Sequence, residues 1–126
     1  MKDTSCIFCN IQKDRIIAED GLCFAILDGF PVSEGHTLII PKRHVPNYFD
    51  LTYAEIMAMQ SMMKDIKSRL DKEYSPDGYN VGINVNEAAG QTVFHVHMHL
   101  IPRYNGDVKD PRGGVRGVIP ERRGYL

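Results

Sequence analysis

The chain lacks an apolar run long enough to cross a bilayer, and no charged start leads into an apolar signal region. It also lacks a charge excess, since fifteen Lys and Arg against sixteen Asp and Glu leave a net charge of −1. A balance that close argues against electrostatic binding to nucleic acid or to a membrane surface, which needs a basic face. Cysteine is scarce: three in 126 residues is an odd number and too few for a secreted disulfide framework. No internal repeat or low-complexity tract interrupts the chain. These absences leave one compact domain with a real core, expected to be soluble and cytoplasmic.

The hydrophobic pattern then sets the elements. Leu22 to Leu27 is a nearly continuous apolar run that suits a strand buried on both faces, with Cys23 inside it as a small buried hydrophobe. His36 to Ile40 reads as a second strand halted by Pro41. Thr52 to about Lys72 reads as the main helix, opened by a Thr52-x-x-Glu55 capping box. Its stripe is Ile56, Met59, Met63, Ile66 and Leu70, at alternating steps of three and four. Met57 and Met62 fall beside that stripe, either as a wider core face or as a partner-binding edge. Tyr79 to Val85 and Thr92 to Ile101 complete the strands. The tail from Asn105 to Gly117 has no periodicity, and Val115 to Pro120 reads as a short extended piece. The order β-β-α-β-β predicts an α+β domain with an antiparallel sheet and one main helix against it.

Histidine is rare but clustered: three of five lie at alternate positions in FHVHMHLIPRY, residues 94–104. On a strand, His95, His97 and His99 would share one face while Val96, Met98 and Leu100 take the other. A satisfied core accounts poorly for three polar rings in a row, each of which would need a buried partner. A single ion held by all three fails on reach, because ligands at i, i+2 and i+4 of one strand span roughly 13 Å while ligand bonds are near 2.1 Å. Nucleophilic catalysis by one imidazole remains, and imidazole can attack phosphorus near neutral pH without an external base.

His95-Val96-His97-Met98-His99-Leu100-Ile101 resembles the His-φ-His-φ-His-φ-φ signature of the histidine triad family of nucleotide hydrolases and transferases. GHTLIIPKRH (35–44), NEAAGQTVFHVHMHLIPRY (86–104) and CIFCNI (6–11) are similar to the Hint-type bacterial and archaeal branch. The resemblance implies that His97 is the nucleophile, forming a covalent nucleotidyl-histidine at the α-phosphate of a purine nucleotide. It implies that His99 and Thr92 serve the phosphate and the leaving group. His36 would be a fourth histidine that orients the site. Asn84 would contact the phosphate, Gln91 would belong to the nucleotide-binding loop just before Thr92, and Asp28 would take the ribose hydroxyls with its two acceptor oxygens. Ile7, Phe8, Ile11 and Ile26 fall where the family flanks the purine, although from the residues alone they read as core.

Cys6 and Cys9 form a Cys-x-x-Cys pair. A redox role needs a βαβ setting and a helix N-terminus to lower the thiol pKa, and the sequence shows neither. A metal role needs two further ligands. The resemblance supplies His44 and His95, completing a Cys₂His₂ set suited to a structural zinc. It also implies a homodimer with a continuous sheet, for which Met57, Met62, Val81 and Ile83 are the candidate surface. Three functions follow from it: a purine nucleoside phosphoramidase-like hydrolase, a dinucleoside polyphosphate hydrolase or phosphorylase, or a non-catalytic nucleotide-binding module. The tail arginines Arg112, Arg116, Arg122 and Arg123 either meet extra phosphates or belong to a solvated tail.

Overall fold

The computed structural model describes residues 3–125. Five strands, β1 (Ile16–Glu19), β2 (Cys23–Leu27), β3 (Thr37–Pro41), β4 (Gly78–Ile83) and β5 (Met98–Arg103), form one antiparallel sheet in the order β1-β2-β3-β5-β4. One helix, α1 (Tyr53–Tyr74), crosses between β3 and β4 and covers one face of the sheet. Its Met59, Met62, Ile66 and Leu70 pack against Cys23, Ala25, Ile39, Met98 and Leu100. A second, smaller cluster of Phe8, Phe24, Ile26, Leu38 and Ile40 fills the opposite face beneath the N-terminal segment. The two central strands β2 and β3 are thus covered on both sides, which explains their unbroken apolar sequence.

The capping box forms as the sequence predicts. Thr52 Oγ1 accepts from the Glu55 amide at 3.1 Å, and Glu55 Oε1 accepts from the Thr52 amide at 2.9 Å. Glu55 does more than cap. It is buried, and both its oxygens receive the Arg43 guanidinium, at 3.0 and 2.7 Å. One carboxylate therefore starts the helix and ties it to the loop after β3 that carries His44. Gly35 turns the chain into β3 at φ +90°, and a Cβ there would lie 3.1 Å from Leu70, Tyr74 and Pro102.

The structure corrects several expectations. The fifth strand, β1, was not predicted; it pairs with β2 across a turn in which Asp20 Oδ1 accepts from the amides of Leu22 and Cys23. Leu22 lies outside β2 and is exposed, because that turn claims its amide. Pro41 is the last residue of β3 rather than its stop. β4 ends at Ile83, leaving Asn84 and Val85 outside it. The histidine strand begins only at Met98, so His95 and His97 precede the ladder. Met62 is buried against Cys23, whose sulfur is 3.9 Å from its own, so it belongs to the core and not to an exposed edge. Val115 to Pro120 is not extended: Gly114–Val118 and Pro120–Arg122 are 3₁₀ turns, drawn inward by Arg116 hydrogen bonds to the carbonyls of Arg122 and Arg123.

Replacing Glu55 by Gln should lower unfolding free energy by about 1–3 kcal/mol, the smaller end reflecting the half-exposed Arg43. Arg43 holds the Glu55 carboxyl down to about 2, against a working value near 4.5. Its contribution is complete above the unfolded pKa and is lost as pH falls toward 2. Urea titrations of wild type and Glu55→Gln should therefore differ at pH 7 and converge near pH 2.

Candidate active site and metal centre

The three triad histidines do three different things. His95 is wholly buried, and its Nδ1 lies 3.4 Å from Cys6 Sγ and 3.5 Å from Cys9 Sγ. Cys9 Sγ is also 3.3 Å from His44 Nδ1. The four donor atoms all lie within 4.8 Å of one another. A tetrahedral ion with bonds near 2.3 Å to sulfur and 2.0–2.1 Å to nitrogen would separate such atoms by about 3.6 Å. The set therefore has the size and chemistry of a closed Cys₂His₂ site.

The unused ring nitrogens fit as well. His95 Nε2 donates to the Pro41 carbonyl at 2.7 Å, which leaves Nδ1 bare for a ligand bond. His44 Nε2 faces Asp3 Oδ2 at 3.9 Å. Both thiols are free, and burial raises the Cys6 pKa, so that thiolate needs a cation beside it. The pair sits in a turn and not at a helix N-terminus. Among the described residues the pair lacks the helix N-terminus that a thioredoxin-type redox motif uses.

His97 stands between the cluster and an open face. Its Nδ1 donates to the His95 carbonyl at 2.9 Å, so its lone pair is on Nε2. Phe8 packs edge-on against it with ring centroids 5.0 Å apart, and the His99 ring is 5.2 Å away.

His99 closes a second chain of contacts. The Val32 amide donates to His36 Nδ1 at 3.1 Å, so His36 carries its proton on Nε2. That nitrogen is 2.9 Å from His99 Nδ1, which must accept, and 3.4 Å from Asp28 Oδ2. His99 consequently holds its own proton on Nε2. Asp28, His36 and His99 also sit close enough to be read as metal donors. The Val32 amide argues against it, because a ligating imidazole needs its other nitrogen to donate and here that nitrogen accepts. Burial, with His97 and His36 adding, pushes His99 down to about 4, and burial also lowers His36.

The remaining predicted residues divide. Gln91 is buried and spent on the loop: Oε1 accepts from the Asn86 amide, while Nε2 donates to the carbonyls of Pro46 and Val93. It shapes the segment before the triad, with no polar atom left for a phosphate. Thr92 and Asn84 are exposed on either side of the Asn86–Gln91 turn. Ile26 is wholly buried and Phe8 nearly so, whereas Ile7 is exposed and Ile11 half-buried. Ile7 and Ile11 can therefore present an edge to a ring, while Ile26 can only back it. Among the tail arginines, Arg112 pairs with Asp110, Arg116 caps tail carbonyls, and Arg123 donates to the Asp110 carbonyl. Sequence reasoning missed the Val32 amide and the Pro41 carbonyl, backbone groups for which no residue type gives a signal.

The HIT domain pattern matches residues 10–106. The chain belongs to the histidine triad (HIT) family. Adenylylsulfatase HINT3 of Arabidopsis thaliana is 39% identical over 106 residues, 81% of this chain and 54% of that protein. A zinc-bound histidine triad family protein from Mycobacterium smegmatis superposes with a TM-score of 0.76 at 38% identity, over 84% of this chain and 80% of that one. A histidine triad nucleotide-binding protein from Candida albicans gives 0.70 at 35%, over 79% and 76%. The HIT family is a nucleotide-binding and hydrolase superfamily. No helix among the described residues is long and apolar enough to cross a membrane.

Because the folded state binds a proton at His99 only near pH 4 while the unfolded chain binds it near 6.5, stability is complete above 6.5 and falls as pH drops toward 4. His99→Asn, neutral throughout, should remove that part of the acid sensitivity. Urea midpoints at pH 7 and pH 5 should converge for the variant relative to wild type.

Proposed function

We propose that this HIT protein hydrolyses purine nucleotides at the α-phosphate through a covalent intermediate on His97, in the manner of a purine nucleoside phosphoramidase. The hydrogen bond from His97 Nδ1 to the His95 carbonyl carries this reading, because it leaves Nε2 as a fixed, unprotonated nucleophile. Nε2 attacks the α-phosphorus as the bond to the leaving nitrogen breaks. The leaving nitrogen keeps the bonding pair and takes a proton from solvent. Water then attacks the same phosphorus, the P–N bond to His97 breaks, and the nucleoside monophosphate departs.

His99 Nε2–H, held by His36, donates to the phosphoryl oxygens as charge develops. Thr92 and Asn84 reach the phosphate from the turn, Asp28 receives the ribose, and Ile7 and Ile11 flank the base. Cys6, Cys9, His44 and His95 would hold zinc, which would supply a structural tether between the N-terminal turn and the segment before β5. Dinucleoside polyphosphates are the second substrate class, and the tail offers them little because Arg112, Arg116 and Arg123 are engaged within it.

His97→Asn should abolish turnover, by at least 10³-fold on the order expected for a lost nucleophile, while AMP affinity stays within a few-fold. The substrate panel is adenosine 5′-phosphoramidate, adenylyl sulfate and diadenosine tri- and tetraphosphate. Turnover of the phosphoramidate alone supports the leading reading, whereas AMP binding with no turnover of any member points to a binding module.

The dimer is the second part of this proposal. β4 is an edge strand with its outer hydrogen-bonding groups unpaired within the sheet, and Val81 on it and Met57 on α1 are exposed. A two-fold partner would bury both and continue the sheet. Light scattering should give about twice the chain mass of 14.3 kDa, and Met57→Glu should shift the population to monomer. A wild-type mass of one chain would refute it.

A further inference from the structure

The nucleophile's position is peculiar. His97 is the last residue before β5, whose ladder to β3 and β4 starts at Met98. No strand pairing reaches it. The segment 91–97 is held instead by contacts with the end of β3 and the loop that follows it. Gln91 Nε2 donates to the Pro46 carbonyl at 2.8 Å, the Val96 amide to the Val45 carbonyl at 2.8 Å, and His95 Nε2 to the Pro41 carbonyl at 2.7 Å.

Two contacts then fix the His97 ring itself, and both originate in the Cys₂His₂ cluster. The first is the acceptor on Nδ1, the carbonyl of the cluster residue His95, at 2.9 Å. The second is Phe8, which lies between Cys6 and Cys9 in the turn. Its buried ring meets His97 at 5.0 Å and His95 at 6.1 Å, edge-on to both. The Phe8 ring packs with Phe24, Ile26, Leu38 and Ile40, and its backbone belongs to the Cys6–Cys9 turn folded against His44 and His95. Without a cation, only Cys–His contacts of 3.3–3.5 Å hold the side chains of the turn to His44 and His95.

We propose that the Cys6–Cys9 turn is the positioning device for the nucleophile, with Phe8 as a positioning residue that seats the His97 ring and His95 as the one that fixes its tautomer. Metal bound by Cys6, Cys9, His44 and His95 closes the device. This rests on the nucleotidyl-histidine and zinc readings above, and it differs from a merely structural ion in what removal does. A structural ion lost from a surviving fold would leave His97 as it was. Here its loss leaves the sheet and the Asp28–His36–His99 chain in place, while the turn that carries Ile7 and Phe8 loosens and His97 loses its set orientation.

The test uses full-length protein with ¹⁵N-labelled histidine, stripped with a chelator and then titrated with zinc alone. Three readouts are taken at each step: long-range ¹⁵N–¹H spectra of His97, AMP affinity by calorimetry, and single-turnover formation of the nucleotidyl-enzyme. With zinc bound, His97 should show one tautomer, protonated at Nδ1. The stripped protein should show exchange between tautomers and nucleotidylation at least tenfold slower even at saturating nucleotide, with AMP affinity reporting separately on the base-flanking Ile7.

Phe8→Leu, which keeps the apolar volume but not the flat ring edge, should lower kcat with zinc still bound and KM little changed. If stripping unfolds the chain, His44→Asn supplies a weaker site in which the Nδ1–H population of His97 should track zinc occupancy. A single unchanged His97 tautomer across full and empty sites, with unchanged nucleotidylation, overturns the proposal. A titration in which zinc does not bind overturns the metal reading itself. Tautomer changes in a protein that turns over no nucleotide keep the coupling and remove the hydrolase reading.

Discussion

A hydrogen bond of 2.7 Å, from His95 Nε2 to the Pro41 carbonyl, decides how the rest of the site is arranged. By taking the proton of one ring nitrogen it leaves the other for the cluster with Cys6 and Cys9. It also joins the end of β3 to the segment that leads into β5, two stretches far apart in sequence. The His95 backbone is held in place by the same contact, and its carbonyl is the acceptor that sets the tautomer of His97. A buried imidazole without such partners would be costly. Here every ring nitrogen of His95 has a use.

The sheet and helix provide the frame within which these short contacts are possible. α1 covers one face and leaves the other to Phe8 and the N-terminal turn. The ion pair between half-exposed Arg43 and buried Glu55 fixes the loop carrying His44 to the start of the helix. Antiparallel pairing of β5 with both β3 and β4 brings His99 alongside Leu38 and Gly82, and a strand end next to Gly82 gives the open face room.

How much of this could be read in advance depended on range. The capping box at Thr52 and Glu55 and the helical stripe were legible, since each involves residues within one or two turns. The alternating histidines and the Cys-x-x-Cys pair pointed to the right neighbourhood because spacing and residue type both constrain chemistry. Nothing in the alternation marks Met98 as the start of the strand, because the pattern continues through His95 and His97 while the ladder does not. Met62 looked peripheral by periodicity, yet the width of the sheet beneath α1 admits it to the core. Gln91 looked like a nucleotide-binding residue, and only the fold shows that the surrounding backbone consumes all its polar atoms. The donors and acceptors that settle tautomers, at Val32, Pro41 and His95, are main-chain groups and carry no mark in a sequence.

The chain of contacts from the Val32 amide through His36 to His99 runs in one direction. Each imidazole receives on one nitrogen and gives on the other, and its fixed end is a peptide N–H that cannot ionise. Protons therefore cannot be shuttled inward along it from solvent. With His99 protonating only near pH 4, its Nε2–H is a fixed hydrogen-bond donor and not a labile proton at neutral pH. Such a donor steadies negative charge set against it without giving up its proton, so the His99 end of the chain is electrostatic in character and not an acid.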